Sequence, residues 1–324
     1  MSIFEERRAI KPYEYPNLIK YANAIHESFW TADHFTYDRD VSDFLVKLND
    51  SERDIIKKCM LAIGVVENKV KTFWARIDMR MPKTEIAIVG HTFAGNECIH
   101  QITYEKLLTL LGLEGEFDKV SDIPCMQGRA DYLTKYLQGL YSKSNKEFTK
   151  SLILFTLLVE NASLFSQFLI VSSFKKHKNL LSNFNSVISA TAREENLHAK
   201  FGEELIKIIR NENPEWFDSK MENKIRGNVR KAFEAESEVL DWIFESGELS
   251  FLPKESVLEY LKYRFNKSLN QIGYEDEFKV NELLLEPSNF LEVQLTATSS
   301  FDFFNEKSTD YSQNIAFDAE DIWD

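Results

Sequence analysis

Apolar positions recur along the 324-residue chain at spacings of three and four, the pattern of helices that each bury one face. That period predicts helices over about residues 17–29, 51–77, 84–111, 131–141, 147–175, 180–210, 218–245 and 254–266, with a shorter one near 276–285. Local chemistry marks several ends: Ser51-Glu-Arg-Asp54 opens like an N-cap, Pro82 separates two long helices, and Gly112 closes the second of them. At 1.5 Å per residue the 84–111 helix would be roughly 42 Å long. The helices at 51–77, 84–111, 147–175 and 180–210 are apolar around much of their circumference, which suits the middle of a bundle. After Pro287 the helical period gives way to Ser, Thr, Asn, Asp and isolated aromatics. The expected division is a helical domain over residues 1–286 and a largely flexible tail over 287–324.

Composition sharpens this picture. Only 11 Gly and 7 Pro are present, whereas sandwiches and barrels spend both freely in turns, so the fold class is all-α. Twenty-five Phe residues supply a large core. A formal net charge of −13 argues against general nucleic-acid binding. Met1-Ser-Ile-Phe-Glu-Glu-Arg7 lacks the basic-then-apolar layout of a secretory signal, and the longest apolar run, Leu152–Val159, ends at Glu160, far short of the ~20 residues of a membrane span. Cys59, Cys98 and Cys125 are widely spaced with no CxxC, as expected of a reducing cytoplasm.

The informative positions are carboxylates where a core should be apolar. Glu160 follows Leu152-Ile-Leu-Phe-Thr-Leu-Leu-Val159, and Glu67 follows Met60-Leu-Ala-Ile-Gly-Val-Val66. Either alone could line a narrow solvated stripe; buried, it would need a proton, a cationic partner or a metal. Two further helices carry Glu-x-x-His, as Glu97-Cys-Ile-His100 and Glu195-Asn-Leu-His198, and at i,i+3 both side chains leave one helical face. Each pair alone is a weak signal. Together, four successive long helices offer Glu67, Glu97 with His100, Glu160, and Glu195 with His198, which is the ligand set of ferritin-like dimetal bundles. Four carboxylates against two divalent ions leave the core neutral. Hard oxygen ligands, two imidazoles and no thiolate favour iron or manganese over zinc or copper. Cys98 lies between ligands in sequence but on another face of its helix.

Ferritins, oxygenases and radical-generating proteins share such a core, so the fold does not choose among them. Other residues bear on the choice. Tyr104 stands four residues after His100 and seven after Glu97, on the metal side of the helix, where ordinary core packing is the alternative. Trp30 closes the first helix, and Glu194 adjoins Glu195; a hydrogen bond between them would connect the buried site to the surface, the alternative being a packed surface Trp. The tail carries Tyr311 and ends in the acidic, aromatic Phe317–Asp324, which suits a docking peptide.

From Trp30 through the tail, the sequence resembles the small, radical-generating subunit of class I ribonucleotide reductase. Asn96-Glu-Cys-Ile-His100-Gln-Ile-Thr-Tyr104 looks like that family's metal-and-tyrosine helix, and Arg193-Glu-Glu-Asn-Leu-His198 like its second Glu-x-x-His helix. The order of ligands, Trp30, Tyr104 and the tail match as well. The resemblance implies a ferritin-like bundle elaborated with extra helices and holding two transition-metal ions. It implies a cofactor that reacts with an oxygen-derived oxidant and stores a one-electron hole. That hole would pass by proton-coupled steps along Trp30, with Glu194 as partner, to Tyr311 and a separate large subunit, where ribonucleotides become deoxyribonucleotides. It further implies a homodimer that docks on the large subunit through its C-terminal tail. The rival readings are a ligand-binding dimetal oxidase and a ferroxidase or metal-storage protein, neither of which needs Tyr311.

Two positions depart from the commonest family pattern: Glu67 and Glu194 stand where most members have Asp. Lys71 falls one turn after Glu67, either as a simple ion pair or as positive charge favouring an anionic oxidant such as superoxide. Glu67 with Lys71 looks similar to the subclass using a dimanganese cofactor, which is therefore favoured over di-iron or mixed manganese and iron. In that subclass the metals hold the oxidising equivalent and Tyr104 would be a hydrogen-bonding neighbour, not the radical.

Overall fold

The computed structural model describes residues 2–7 and 9–301. Among them there is no β-strand, only an isolated bridge between Leu249 and Leu252. The principal helices are α1 (Ile19–Glu27), α2 (Asp50–Trp74), α3 (Thr84–Leu110), α4 (Pro124–Leu137), α5 (Asn145–Leu154), α6 (Phe165–Lys178), α7 (Ser182–Glu212), α8 (Ser219–Ile243), α9 (Lys254–Gln271) and α10 (Asn289–Phe301). Short helical turns link them.

Local sequence explains several boundaries. At the start of α2, Asn49 Oδ1 accepts the Glu52 backbone N–H at 2.9 Å and the Glu52 carboxylate returns to the Asn49 N–H at 3.2 Å. This reciprocal cap places the helix start just before the Ser51 signal. Asp218 caps α8 through the Met221 N–H at 2.7 Å. Pro124 opens α4, where its fixed φ and missing N–H cost nothing, so this helix begins earlier than the expected residue 131.

The expected single helix over 147–175 is interrupted. Between α5 and α6, residues Phe155–Ser163 form a π-helical segment, and all nine of them are buried. From Asn145 to Lys178 the chain is long and apolar enough to cross a membrane, yet its most apolar window is wholly enclosed by the protein. α2, α3, the π segment with α6, and α7 form the central bundle; α4 and α8 flank it, and α9 packs across the π segment.

One buried cation joins these layers. Arg129 on α4 is fully enclosed with Glu236 of α8, to which its Nε donates at 2.8 Å. Its Nη1 donates to the Ala62 carbonyl of α2 at 2.8 Å, and its Nη2 to the Ser163 carbonyl at 2.9 Å and Gln167 Oε1 at 3.0 Å. Tyr132 also donates to Glu236. A buried ion pair is tolerable only when satisfied this fully.

Helical structure continues past residue 286. α10 begins at Asn289, and Leu291 and Leu295 are buried against the core. Glu292 on the same helix pairs with Arg264 and Lys267 of α9. The Ser- and Thr-rich composition conceals this helix, because two buried leucines and an acidic anchor hold it without a long apolar stripe. Tyr311 and Phe317–Asp324 lie outside the described residues.

Candidate metal centre

Glu67 comes from α2, Glu97 and His100 from α3, Glu160 from the π segment, and Glu195 and His198 from α7; all six are at most 1% exposed. Their donor atoms form two groups, each with its atoms within 4.8 Å of one another: Glu67, Glu97, His100 and Glu195, and Glu97, Glu160, Glu195 and His198. Glu97 and Glu195 belong to both, so each could serve either of two ions.

The histidines are oriented alike. His100 Nδ1 faces Glu97 at 3.2 Å, Glu195 at 3.3 Å and Glu67 at 3.8 Å. His198 Nδ1 faces Glu97 at 2.9 Å, Glu160 at 3.4 Å and Glu195 at 3.7 Å. The opposite ring nitrogens are held from outside, His100 Nε2 by Glu194 at 2.7 Å and His198 Nε2 by Asn96 Oδ1 at 3.2 Å. A ring whose Nε2–H is engaged by a carboxylate or amide oxygen presents its Nδ1 lone pair to a metal.

Both Glu67 oxygens, Glu97 Oε1, Glu160 Oε2, Glu195 Oε1 and His198 Nδ1 are buried without a hydrogen-bond partner. Orphaned acceptors converging from four elements are what a cation would satisfy, so these residues fit two divalent ions. Without cations, protons must substitute. Burial pushes the carboxyls of Glu67 and Glu160 well up. Burial opposes charge on both imidazoles, but Glu194, Glu195 and Glu97 around His100, and Glu97, Glu160 and Glu195 around His198, raise them well above the ordinary histidine value. Burial also opposes ionisation of Glu195, yet the neighbouring Glu160, His100 and His198 hold it far below the usual carboxylate range.

The expected hydrogen bond between Trp30 and Glu194 is present. Trp30 Nε1 lies 3.0 Å from both Glu194 oxygens, its ring stacks on His100 at 5.9 Å and 22°, and Trp30 is 6% exposed. The Glu194 carboxylate thus meets Trp30 on one side and His100 on the other. Tyr104 is buried, and its hydroxyl donates to Thr191 Oγ1 at 3.3 Å, not to a ligand. Burial, with Glu67 nearby, pushes its phenol pKa upward. The Lys71 amine donates to Gln101, the residue after His100, instead of pairing with Glu67. Cys98 is exposed and free.

Sequence reasoning missed Trp74. Its Nε1 donates to Glu160 Oε1 at 2.7 Å, leaving Oε2 aimed at the cage. Trp74 stands seven residues after Glu67 and hence on the same face of α2, a spacing that could have found it. Asn96, adjacent to Glu97, and Thr191, four residues before Glu195, were likewise legible only as neighbours of ligands.

A helical bundle whose buried carboxylates and histidines could hold two cations side by side is the mark of the dimetal-carboxylate class. The family model "Ribonucleotide reductase, small chain" matches residues 7–285. The chain belongs to the ribonucleotide reductase small-chain family. It is 22% identical over 328 residues to the probable ribonucleoside-diphosphate reductase small subunit 048L of Invertebrate iridescent virus 3, covering 97% of this chain and 86% of that one. To the ribonucleoside-diphosphate reductase small subunit of Plasmodium falciparum it is 24% identical over 326 residues, covering 95% and 92%. The fold is similar to the ribonucleotide reductase R2 subunit of Clostridium botulinum, with a TM-score of 0.77 at 18% identity over 87% of this chain and 89% of that one. It is also similar to the dimanganese(II) NrdF of Streptococcus sanguinis, with a TM-score of 0.74 at 17% identity over 87% and 99%.

Proposed function

We propose that this chain is the radical-generating partner of a large catalytic subunit, and that its six-ligand cage holds two transition-metal ions, manganese in preference to iron. When bound, these ions supply a one-electron oxidising equivalent. The protein's own residues define where that equivalent leaves. Trp30, just beyond the end of α1, Glu194 and His100 form an unbroken hydrogen-bonded chain leading to the cage, and this is the observation that carries the reading. An electron drawn from the Trp30 ring is matched by movement of the indole N–H proton to the Glu194 carboxylate 3.0 Å away. The remaining step to the large subunit is assigned to Tyr311, and docking to Phe317–Asp324, on the family resemblance alone.

Manganese is supported by the hard donor set, by Glu67 with Lys71 one turn on, and by the fold's likeness to a dimanganese protein. Tyr104, bonded to Thr191, then serves as support for the cage. A homodimer is supported by one face of α3, where Ile88, His91, Gly95, Cys98 and Ile102 are all exposed at spacings of three and four. Ile102 is 57% exposed there, an apolar stripe that a second copy would cover. Cytoplasmic residence is consistent with three free thiols.

The test is Trp30→Phe, loaded separately with manganese and iron and assayed with the large subunit. Two ions per chain with abolished nucleotide reduction is the expected result. Full turnover would refute the pathway.

A further inference from the structure

The π segment places Glu160 but cannot hold itself. An i→i+5 turn disturbs the regular helical ladder, and carbonyls at its end look for partners elsewhere. Two buried guanidinium groups answer. Arg129 takes the Ser163 carbonyl, as described above. Arg264 of α9, 3% exposed, donates through Nε to the Asn161 carbonyl at 2.7 Å, the residue directly after Glu160. Its guanidinium also lies 3.6 Å from the centroid of the Phe165 ring, just beyond the segment.

The far side of Arg264 is anchored on α10. Its Nη1 meets Glu292 Oε1 at 3.0 Å, and the same carboxylate accepts from Tyr260 at 2.8 Å and Lys267 at 2.6 Å. Burial works against this charge, but Arg264 and Lys267 hold the Glu292 carboxyl down to about 2. The anchor therefore stays ionised throughout the physiological range.

We infer that Arg264 is a positioning residue for the metal centre: it fixes the backbone beside Glu160, with Glu292 as its anchor, and so sets the affinity of the ion held by Glu160 and His198. This rests on the two-ion reading above. Arg264 touches no ligand side chain and reaches the centre through Asn161, by its carbonyl and, at 3.4 Å, its Oδ1. Its effect is consequently confined to one of the two groups of donors, since Glu67 and His100 stand on α2 and α3.

The experiment is Arg264→Met in the full-length chain, which removes the donors while Lys267 and Tyr260 still hold Glu292. Mn(II) binding is followed by titration and by electron paramagnetic resonance, with Tm of the metal-free protein recorded alongside. Loss of a residue that orients a ligand weakens metal binding roughly 10–100-fold. That loss is expected for one ion per chain only, so that at limiting manganese an uncoupled mononuclear signal replaces the coupled dinuclear one. Arg264→Lys, which keeps a donor and a charge, should restore part of the affinity, and it carries the same test if the Met variant fails to fold. Equal weakening of both ions in step with a fall in Tm would overturn the inference, as would unchanged binding. Wild-type protein that takes up fewer than two ions would overturn the metal reading itself, and this inference with it.

Discussion

Gly202 on α7 offers a quantitative test of how tightly the π segment is packed. A Cβ at this position would lie 2.6 Å from Thr156 Cγ2 and 3.0 Å from Thr156 Cβ. Carbon atoms prefer about 3.5–4.0 Å, so something must retreat by roughly 1 Å. Rotating Thr156 moves its methyl and hydroxyl but not its Cβ, which leaves the π backbone to give way. Such overpacking costs about 1–3 kcal/mol, while replacing Gly by Ala in a helix returns about 1 kcal/mol. Because backbone must move, the upper part of the first range applies, and Gly202→Ala should lose about 1–2 kcal/mol net. That corresponds to a fall in Tm of about 1.5 °C per kcal/mol for a chain of this size. Gly227 on α8 is the control, since a Cβ there meets nothing within 4 Å. Gly227→Ala should gain about 0.5–1 kcal/mol and raise Tm. Calorimetry of the two metal-free variants beside wild type decides the stability question, and manganese titration should show weakened binding in Gly202→Ala alone, because Thr156 precedes Glu160 by four residues. If Gly202→Ala proves as stable as Gly227→Ala, the segment yields freely and the reasoning is wrong.

Metal loading should strengthen as pH rises. Glu67, Glu160, His100 and His198 all hold protons more tightly than usual in the metal-free protein, and each must release its proton to bind a cation. Below those raised values the apparent affinity falls up to about tenfold per pH unit for each proton displaced, which titrations over a pH series with proton-release measurements will read. Trp74→Phe removes the donor to Glu160 Oε1 and strands that oxygen in the core; a loss of about 1–3 kcal/mol is expected, read by denaturant melts of the metal-free protein, together with weaker manganese binding. Unchanged stability and affinity would show that the Trp74 hydrogen bond has no part in holding Glu160.

Most of the site was legible because its logic is one of spacing. Glu-x-x-His at i,i+3 survives any local detail of an α-helix, so Glu97 with His100 and Glu195 with His198 converge as their spacing requires. Trp30 and Glu194 meet as expected, even with the additional methylene. What could not be read was structure whose cause lies in another element. The π register around Glu160 is maintained by Arg129, Arg264 and the close approach at Gly202, each supplied by a different helix. α10 was concealed for the same reason, since Glu292 means nothing until Arg264 and Lys267 are beside it. Lys71 shows the limit of the i,i+4 rule: a partner on the next helix, Gln101, takes its amine in preference to the carboxylate one turn away.

The π segment also bears on how such a centre is gained and lost in evolution. A π turn holds about one residue more than an α turn, so removing a single residue from 155–163 would let the chain run on as plain α-helix with both flanks near their present register, while the residues between them rotate to new faces. Glu160 would leave the cage while the stretch kept nearly the same composition and helical content. Two descendants differing by one codon could then share a bundle and differ in whether it holds two ions, and a comparison scored on residue identity would record only a gap.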